Sequence, residues 1–120
     1  IFQSIEVNSI TGDVFCEKNQ IKSIDILKID VEGAENKVLE GFSKMIKEQK
    51  IKVIQFEYGP LNIESHFLLK DFYELFESNG YRVGKIYPTW IDWSGYSVEK
   101  ENFVLSNFLA FSKSYDDFIL

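Results

Sequence analysis

The chain has 120 residues, enough for one domain around one core and no more. It is 45% hydrophobic and 27% charged, a balance that excludes a disordered segment. The formal charge is −6, with Arg82 as the sole arginine, which argues against a nucleic-acid-binding face because phosphate recognition draws on clustered Lys and Arg.

Cys16 is alone, so no intrachain disulfide or thiolate metal cluster can form, and it reads as a small buried hydrophobe. No apolar run approaches the ~18 residues of a transmembrane helix, and no targeting signal is visible, so no membrane partner and a cytoplasmic location are expected. The chain opens on Ile1 in the middle of a pattern, which reads as part of a longer sequence.

Ile1 to Ile10 reads as a short strand leading into a turn at Thr11-Gly12-Asp13, and Val14 to Glu17 as a brief helical turn that Asp13 could cap. Branched residues at Ile24, Ile26, Ile29 and Val31 predict a strand over 24–31. Its alternation puts Lys28 and Asp30 on one face and Leu27, Ile29 and Val31 on the other. After Gly33 the pattern changes to a helix from about Ala34 to Lys47, with Val38, Leu39, Phe42, Met45 and Ile46 as its buried stripe. A second strand, Ile51 to Tyr58, presents Val53, Gln55 and Glu57 on one face and Ile54, Phe56 and Tyr58 on the other. Gly59-Pro60 breaks it, and Ser65 is the expected cap of a helix through Ser78, closed by Asn79-Gly80. Tyr81 to Tyr87 is a third strand, Pro88 to Val98 an aromatic loop, and Asn102 to Phe111 a final strand. No helix fits between Tyr87 and Asn102, so the last strand is expected to run antiparallel. Ser112 to Leu120 is a short peripheral tail.

Asp30 and Glu57 each fall at the carboxyl end of a strand, the rim where open α/β sheets bind ligands. Lys28 lies in a strand expected to be covered by helices on both faces, so it must pair or face a cavity. Asp30 is ~6.6 Å along the strand and within its reach. The pair is therefore either a structural ion pair or a polar floor under a ligand. Asp30, Glu57, Lys28 and Glu32 form the candidate catalytic set: neighbouring carboxylates can orient an acceptor, or raise one another's pKa so that one acts as a base. Glu32 and Glu35 also suit the positive end of the following helix, so part of this acidity reads as helix punctuation. With His66 the carboxylates could bind Mg²⁺ or Mn²⁺, but no D-x-D or H-x-H spacing supports it and no metal is expected. His66 is a candidate substrate contact at a helix start. Trp90, Trp93 and Tyr96 could stack on a sugar or aromatic substrate, or simply cover a thin core.

The run Asp25, Leu27, Lys28, Asp30, Val31, Glu32, Gly33 and Glu35, spaced D-x-L-K-x-D-V-E-G-x-E, resembles the signature of FkbM-type methyltransferases. Leu39-Glu40-Gly41 and Gln55-Phe56-Glu57-Tyr58 fall where that family has its next helix and strand. The resemblance covers most of the chain but only the later part of the family's domain, and the glycine-rich loop after the family's first strand has no counterpart. It implies an α/β fold, the carboxyl-terminal portion of a Rossmann-like class I methyltransferase sheet with a final antiparallel strand, as a single partial domain over residues 1–120. It implies S-adenosylmethionine as methyl donor and a hydroxyl of a small molecule or sugar as acceptor. Thr11-Gly12-Asp13-Val14-Phe15 is similar to the family's T-L-D-D-F segment with glycine for leucine, so the resemblance makes Asp13 a cofactor-binding candidate beside Asp30. Without the main cofactor grip, the chain alone is expected to be weak or inactive. Two other readings stand beside this one: a non-catalytic interaction module that forms a homodimer through an exposed sheet edge, and a small carbohydrate-binding domain using the Trp90–Tyr96 loop.

Overall fold

The chain alternates strands and helices up to Ile86 and closes with an antiparallel return. A computed structural model describes residues 2–118, with side chains through Tyr115. The elements are α1 (Gly12–Lys18), β1 (Ile24–Ile29), α2 (Glu35–Gly41), α3 (Ser43–Lys47), β2 (Ile51–Tyr58), α4 (Leu61–Ser65), α5 (Leu69–Ser78), β3 (Tyr81–Ile86), β4 (Ile91–Asp92) and β5 (Ser106–Ser112). Short 3₁₀ turns cover Val98–Lys100 and Lys113–Phe118. The fold is mixed α/β, with a five-stranded sheet in the order β1-β2-β5-β3-β4. β1 and β2 pair in parallel, while β2–β5, β5–β3 and β3–β4 pair antiparallel. The last long strand therefore returns between β2 and β3, which run in the same direction. No helix among the described residues is long and apolar enough to cross a membrane.

Several expectations change. Residues 2–10 form no strand: Phe2, Ile5 and Val7 are fully or largely exposed, and an extended segment with no neighbour to complete its hydrogen bonds forms no ladder. The helix expected over 34–47 is two, α2 and α3, separated at Phe42, whose backbone leaves helical geometry at φ −104°, ψ 13°. The helix expected from Ser65 starts later, as α5, and Ser65 instead ends a separate short helix, α4, that precedes it. Asp71 Oδ2 accepts the Leu68 N–H at 2.7 Å to start the second. The aromatic loop contains the short strand β4. Of the tail, Ile119 and Leu120 lie outside the described residues, as does Ile1.

One face of the sheet is packed. Ile29, Ile54, Phe56, Tyr58, Tyr81, Val83, Phe108 and Ala110 are buried there, against Leu39, Met45 and Ile46 of α2–α3 and Leu69, Phe72, Tyr73 and Phe76 of α5. Phe56 is the centre, stacked on Phe72 at 4.4 Å, Phe76 at 5.3 Å and Phe108 at 5.6 Å between ring centroids. The opposite face is open: Ile26 is 70% exposed, Lys28 and Asp30 are exposed, and Val53, Gln55, Glu57, Leu109 and Phe111 are only half-buried. The expectation of helices on both faces of β1 is thus not met.

Gly12 explains the departure from leucine at its position: a Cβ there would strike the Phe42 ring, so glycine lets α1 lie against the α2–α3 junction. Asp13 caps that junction rather than its own helix. Its two oxygens accept the N–H groups of Lys44 at 2.8 Å and Met45 at 3.0 Å, while Thr11 Oγ1 caps α1.

The return loop is held by Glu101. Its carboxylate accepts the Tyr58 hydroxyl at 2.6 Å, the Tyr96 hydroxyl at 3.1 Å, and the backbone N–H groups of Leu69 at 2.9 Å and Lys70 at 3.1 Å. One side chain thus caps α5 and ties it to β2 and to the loop. Desolvation works against the charge, but the four hydrogen bonds outweigh it and hold the Glu101 carboxyl below its ordinary range. A lowered folded-state pKa stabilises above the unfolded value and is lost as pH falls through the folded one. Chemical denaturation of Glu101→Ala should show a loss of about 2–3 kcal/mol at neutral pH. The gap from wild type should close on acidification below the usual carboxylate range.

Candidate functional site

The rim is built where β1 and β2 run out. Their parallel register pairs Lys28 with Gln55 and Ile29 with Phe56, and carries on to bring Asp30 beside Glu57 on the open face. Alternation dictates this: Phe56 must turn inward to meet α5, so Glu57 turns outward. Glu57 is half-buried, and its carboxyl is pushed up, first by desolvation, then by the charge and hydrogen bonding of Asp30 and by the charge of Glu35. Lys28 pulls it partly back.

Beyond β1 the chain reverses through two left-handed residues, Glu32 at φ 50° and Gly33 at φ 102°. Glycine is required at the second, since a Cβ there would be strained and would press Leu61 Cβ at 3.2 Å. The turn carries Glu35 inward. Glu35 is only 2% exposed, and its Oε2 accepts the Gly33 N–H at 2.9 Å. Beyond β2, the Gly59-Pro60 turn is fixed by buried Asn62, which accepts the Gly59 N–H at 2.9 Å and donates to the Phe67 carbonyl at 2.9 Å. Between the two turns lies a cavity of about 340 Å³, lined by the acids Glu32, Glu35 and Glu57 and the apolar Pro60, Leu61 and Leu105.

The structure brings Asp30 beside Glu57 at the rim, with Glu32 on the turn that follows and Lys28 within β1 on the same face, near enough for its charge to act on Glu57. Lys28 does not form the rim ion pair with Asp30: it stands on the uncovered face, where solvent removes the need for a partner. The strand's other acid, Asp25, pairs instead with Lys52 across to β2 at 2.6 Å. Asp13 has both oxygens committed to the α3 terminus. His66 is exposed, left-handed at φ 56°, and at the end of a helix rather than the start.

The three loop aromatics do not form one platform. Trp90 stacks on Tyr87 at 4.6 Å, with the rings 5° from parallel. Trp93 lies against the Gly84 backbone on the open face, with the Arg82 guanidinium 4.3 Å over its ring. Tyr96 turns to the packed face, against Tyr73 and Glu101. Among the described residues no group of three or more His, Cys, Asp or Glu has the arrangement of a metal site.

Sequence reasoning missed Glu35, Asn62 and Leu105 as site residues. Glu35 carried a signal, but its place in the first helical turn made punctuation a sufficient account. Asn62, three residues after Gly59, had the spacing of a turn-fixing side chain. Leu105 reaches the cavity only through the pairing of β5 with β2, which local pattern does not reveal.

No curated protein and no solved structure matches the chain. Residues 1–83 match the family described as Methyltransferase FkbM domain, a span that contains both rim strands, their two turns and α5. That match takes in well over half of the sequence, and the chain belongs to the FkbM methyltransferase domain family.

Proposed function

We propose that this chain carries the acceptor side of an S-adenosylmethionine-dependent O-methyltransferase, acting on a hydroxyl of a small molecule or sugar. The observation that carries the reading is the pair Asp30 and Glu57, side by side where two parallel strands end, with the Glu57 carboxyl pushed up. The strand order supports it. An antiparallel strand placed between two strands of common direction resembles the later half of a Rossmann-like class I methyltransferase sheet. On this reading residues 1–120 are a partial domain.

The donor set fits the cofactor's charged end, since an ammonium and a sulfonium suit exposed carboxylates such as Asp30. When bound, S-adenosylmethionine supplies a methyl group activated for attack by an oxygen nucleophile. Glu57 accepts the hydrogen bond of the acceptor hydroxyl, which fixes the oxygen's direction, and takes its proton as the oxygen becomes nucleophilic. Asp30 beside it makes that carboxylate a better base, and Lys28 limits the effect. Glu32, in its left-handed turn, stands over the acceptor side of the cavity.

A second reading, self-association, rests on β1. This strand has no partner on its outer edge among the described residues, and Ile26 on it is 70% exposed.

Calorimetric titration with S-adenosylhomocysteine tests the first reading. Saturable binding that weakens about tenfold or more in Asp30→Ala supports it. Unchanged binding in the variant removes Asp30 from the site, and no binding by the native gene product overturns the cofactor assignment. Where turnover is measurable, Glu57→Gln should lower kcat about a hundredfold or more, in the range of general-base loss. Wild-type kcat/KM should rise with pH through a pKa above the ordinary glutamate range, a limb absent from the variant.

Sedimentation velocity tests the second reading. A concentration-dependent dimer abolished by Ile26→Lys supports edge pairing, and a monomer at all concentrations ends it.

A further inference from the structure

Residues 2–10 carry large apolar side chains that the fold does not cover. Phe2 is 103% exposed, and Ile5 and Val7 are each 82% exposed. Among the described residues, none in this arm makes a hydrogen bond to the rest of the chain. The stretch Ser4-Ile5-Glu6-Val7-Asn8 alternates strictly between polar and apolar, the pattern of an edge strand with one covered face and one wet face. The border of the sheet has the same sidedness. β1 has no strand beyond it among the described residues, is packed through Leu27 and Ile29 on one face, and is open through Ile26, Lys28 and Asp30 on the other. Glu6 and Lys28 are both exposed, and neither has an ion-pair partner among the described residues.

We propose that the arm of one copy adds as a strand to the β1 edge of a second copy, and that the exchange is reciprocal about a twofold axis. Centring Glu6 on Lys28 sets Ile5 and Val7 beside Leu27 and Ile29 on the packed face. In either strand direction the same register sets Ser4 and Asn8 beside Ile26 and Asp30 on the open face. Opposite charges then face each other across the strands. A slip of one residue would turn Glu6 toward the core and leave Ile5 and Val7 in solvent. The root of the arm points to a second copy as the acceptor. Thr11 Oγ1 accepts the Val14 N–H at 3.2 Å, and Thr11 and Gly12 lie against Gly41 and the Phe42 ring. That clamp fixes where the arm leaves the fold, and from there it runs uncovered, with its own β1 edge unpaired. Extended, residues 2–10 span about 30 Å, enough to reach a neighbouring molecule.

The inference rests on the self-association reading and names the segment that pairs, and the two can fail separately. Sedimentation velocity of the 120-residue chain should show a concentration-dependent dimer. Glu6→Lys and Lys28→Glu should each raise its dissociation constant about tenfold, and the two together should restore it. Val7→Lys should abolish it, since a charge would then enter the packed face. All three positions are exposed in the single chain, so the monomer folds in every variant. Zero-length carbodiimide coupling in an equal mixture of ¹⁴N and ¹⁵N chains identifies the neighbour. Peptides joining Glu6 to Lys28 should carry one light and one heavy segment in about half of the product.

A dimer indifferent to Glu6→Lys and Val7→Lys would overturn the exchange while leaving direct pairing of two β1 edges in place. Failure of the double exchange to restore the dimer, or no Glu6–Lys28 peptide, would overturn it as well. Coupled peptides that are only all-light or all-heavy would do the same, since the arm would then lie on its own β1. A monomer at all concentrations ends both the exchange and the self-association reading.

Discussion

Phe56 sets the sidedness of this molecule. It is wholly buried, in stacking contact with Phe72, Phe76 and Phe108, and so fixes both the helix above β2 and the strand beside it. With a period of two, that single inward ring forces Gln55 and Glu57 outward. A slip of one residue would bury Glu57 in an aromatic core and expose Phe56, at a cost no local gain could offset. Glu57 therefore reaches the rim as a consequence of packing on the other side of the sheet.

The two turns convert that sidedness into a cavity. Left-handed Glu32 and Gly33 direct Glu35 inward, and Asn62 ties Gly59 to Phe67 on the facing turn. β5 then brings Leu105 across to close the space from the side, and Gly59 accommodates it: a Cβ there would meet Leu105 Cα at 3.1 Å. Glu101 secures this return by binding Tyr58, Tyr96 and the first turn of α5 at once. The wall contributed by Leu105 depends on a carboxylate in the same return loop, four residues away in sequence.

Much of this was legible in the residues. The faces of β2 follow from alternation, the strand ends at Asp30 and Glu57 from the turns that break each run, and the antiparallel return from the lack of a helix between Tyr87 and Asn102. What was not legible has physical causes. Helix breaks at Phe42 and after Ser65 are tertiary: one lets Asp13 cap a new helix from outside, the other lets Glu101 and Asp71 share the start of α5. Residues 2–10 have strand-like composition, but a strand exists only with a neighbour, and composition cannot supply one. For Lys28, a strand expected to be covered on both faces predicts a charge that must pair or face a cavity. On an open face a lysine is ordinary. Glu35 was passed over for the opposite reason, since its sequence position offered a sufficient role in solvent and only the fold shows that it is buried.

That contrast between Lys28 and Glu35 decides where chemistry is to be sought. A charge in solvent is cheap and carries little information, as the exposed pairs Lys52–Asp25 and Lys70–Glu74 illustrate. A buried charge must be stabilised by something, and where the protein provides a cation the need is met: Asp92, half-buried, is hydrogen-bonded to Ser94 and paired with Lys100, and its carboxyl falls to about 2. Glu35 is more deeply buried than Asp92 and receives one backbone N–H. Its charge is kept in another way, with one oxygen held by the Gly33 N–H and the side chain set on the wall of a cavity rather than sealed among apolar groups.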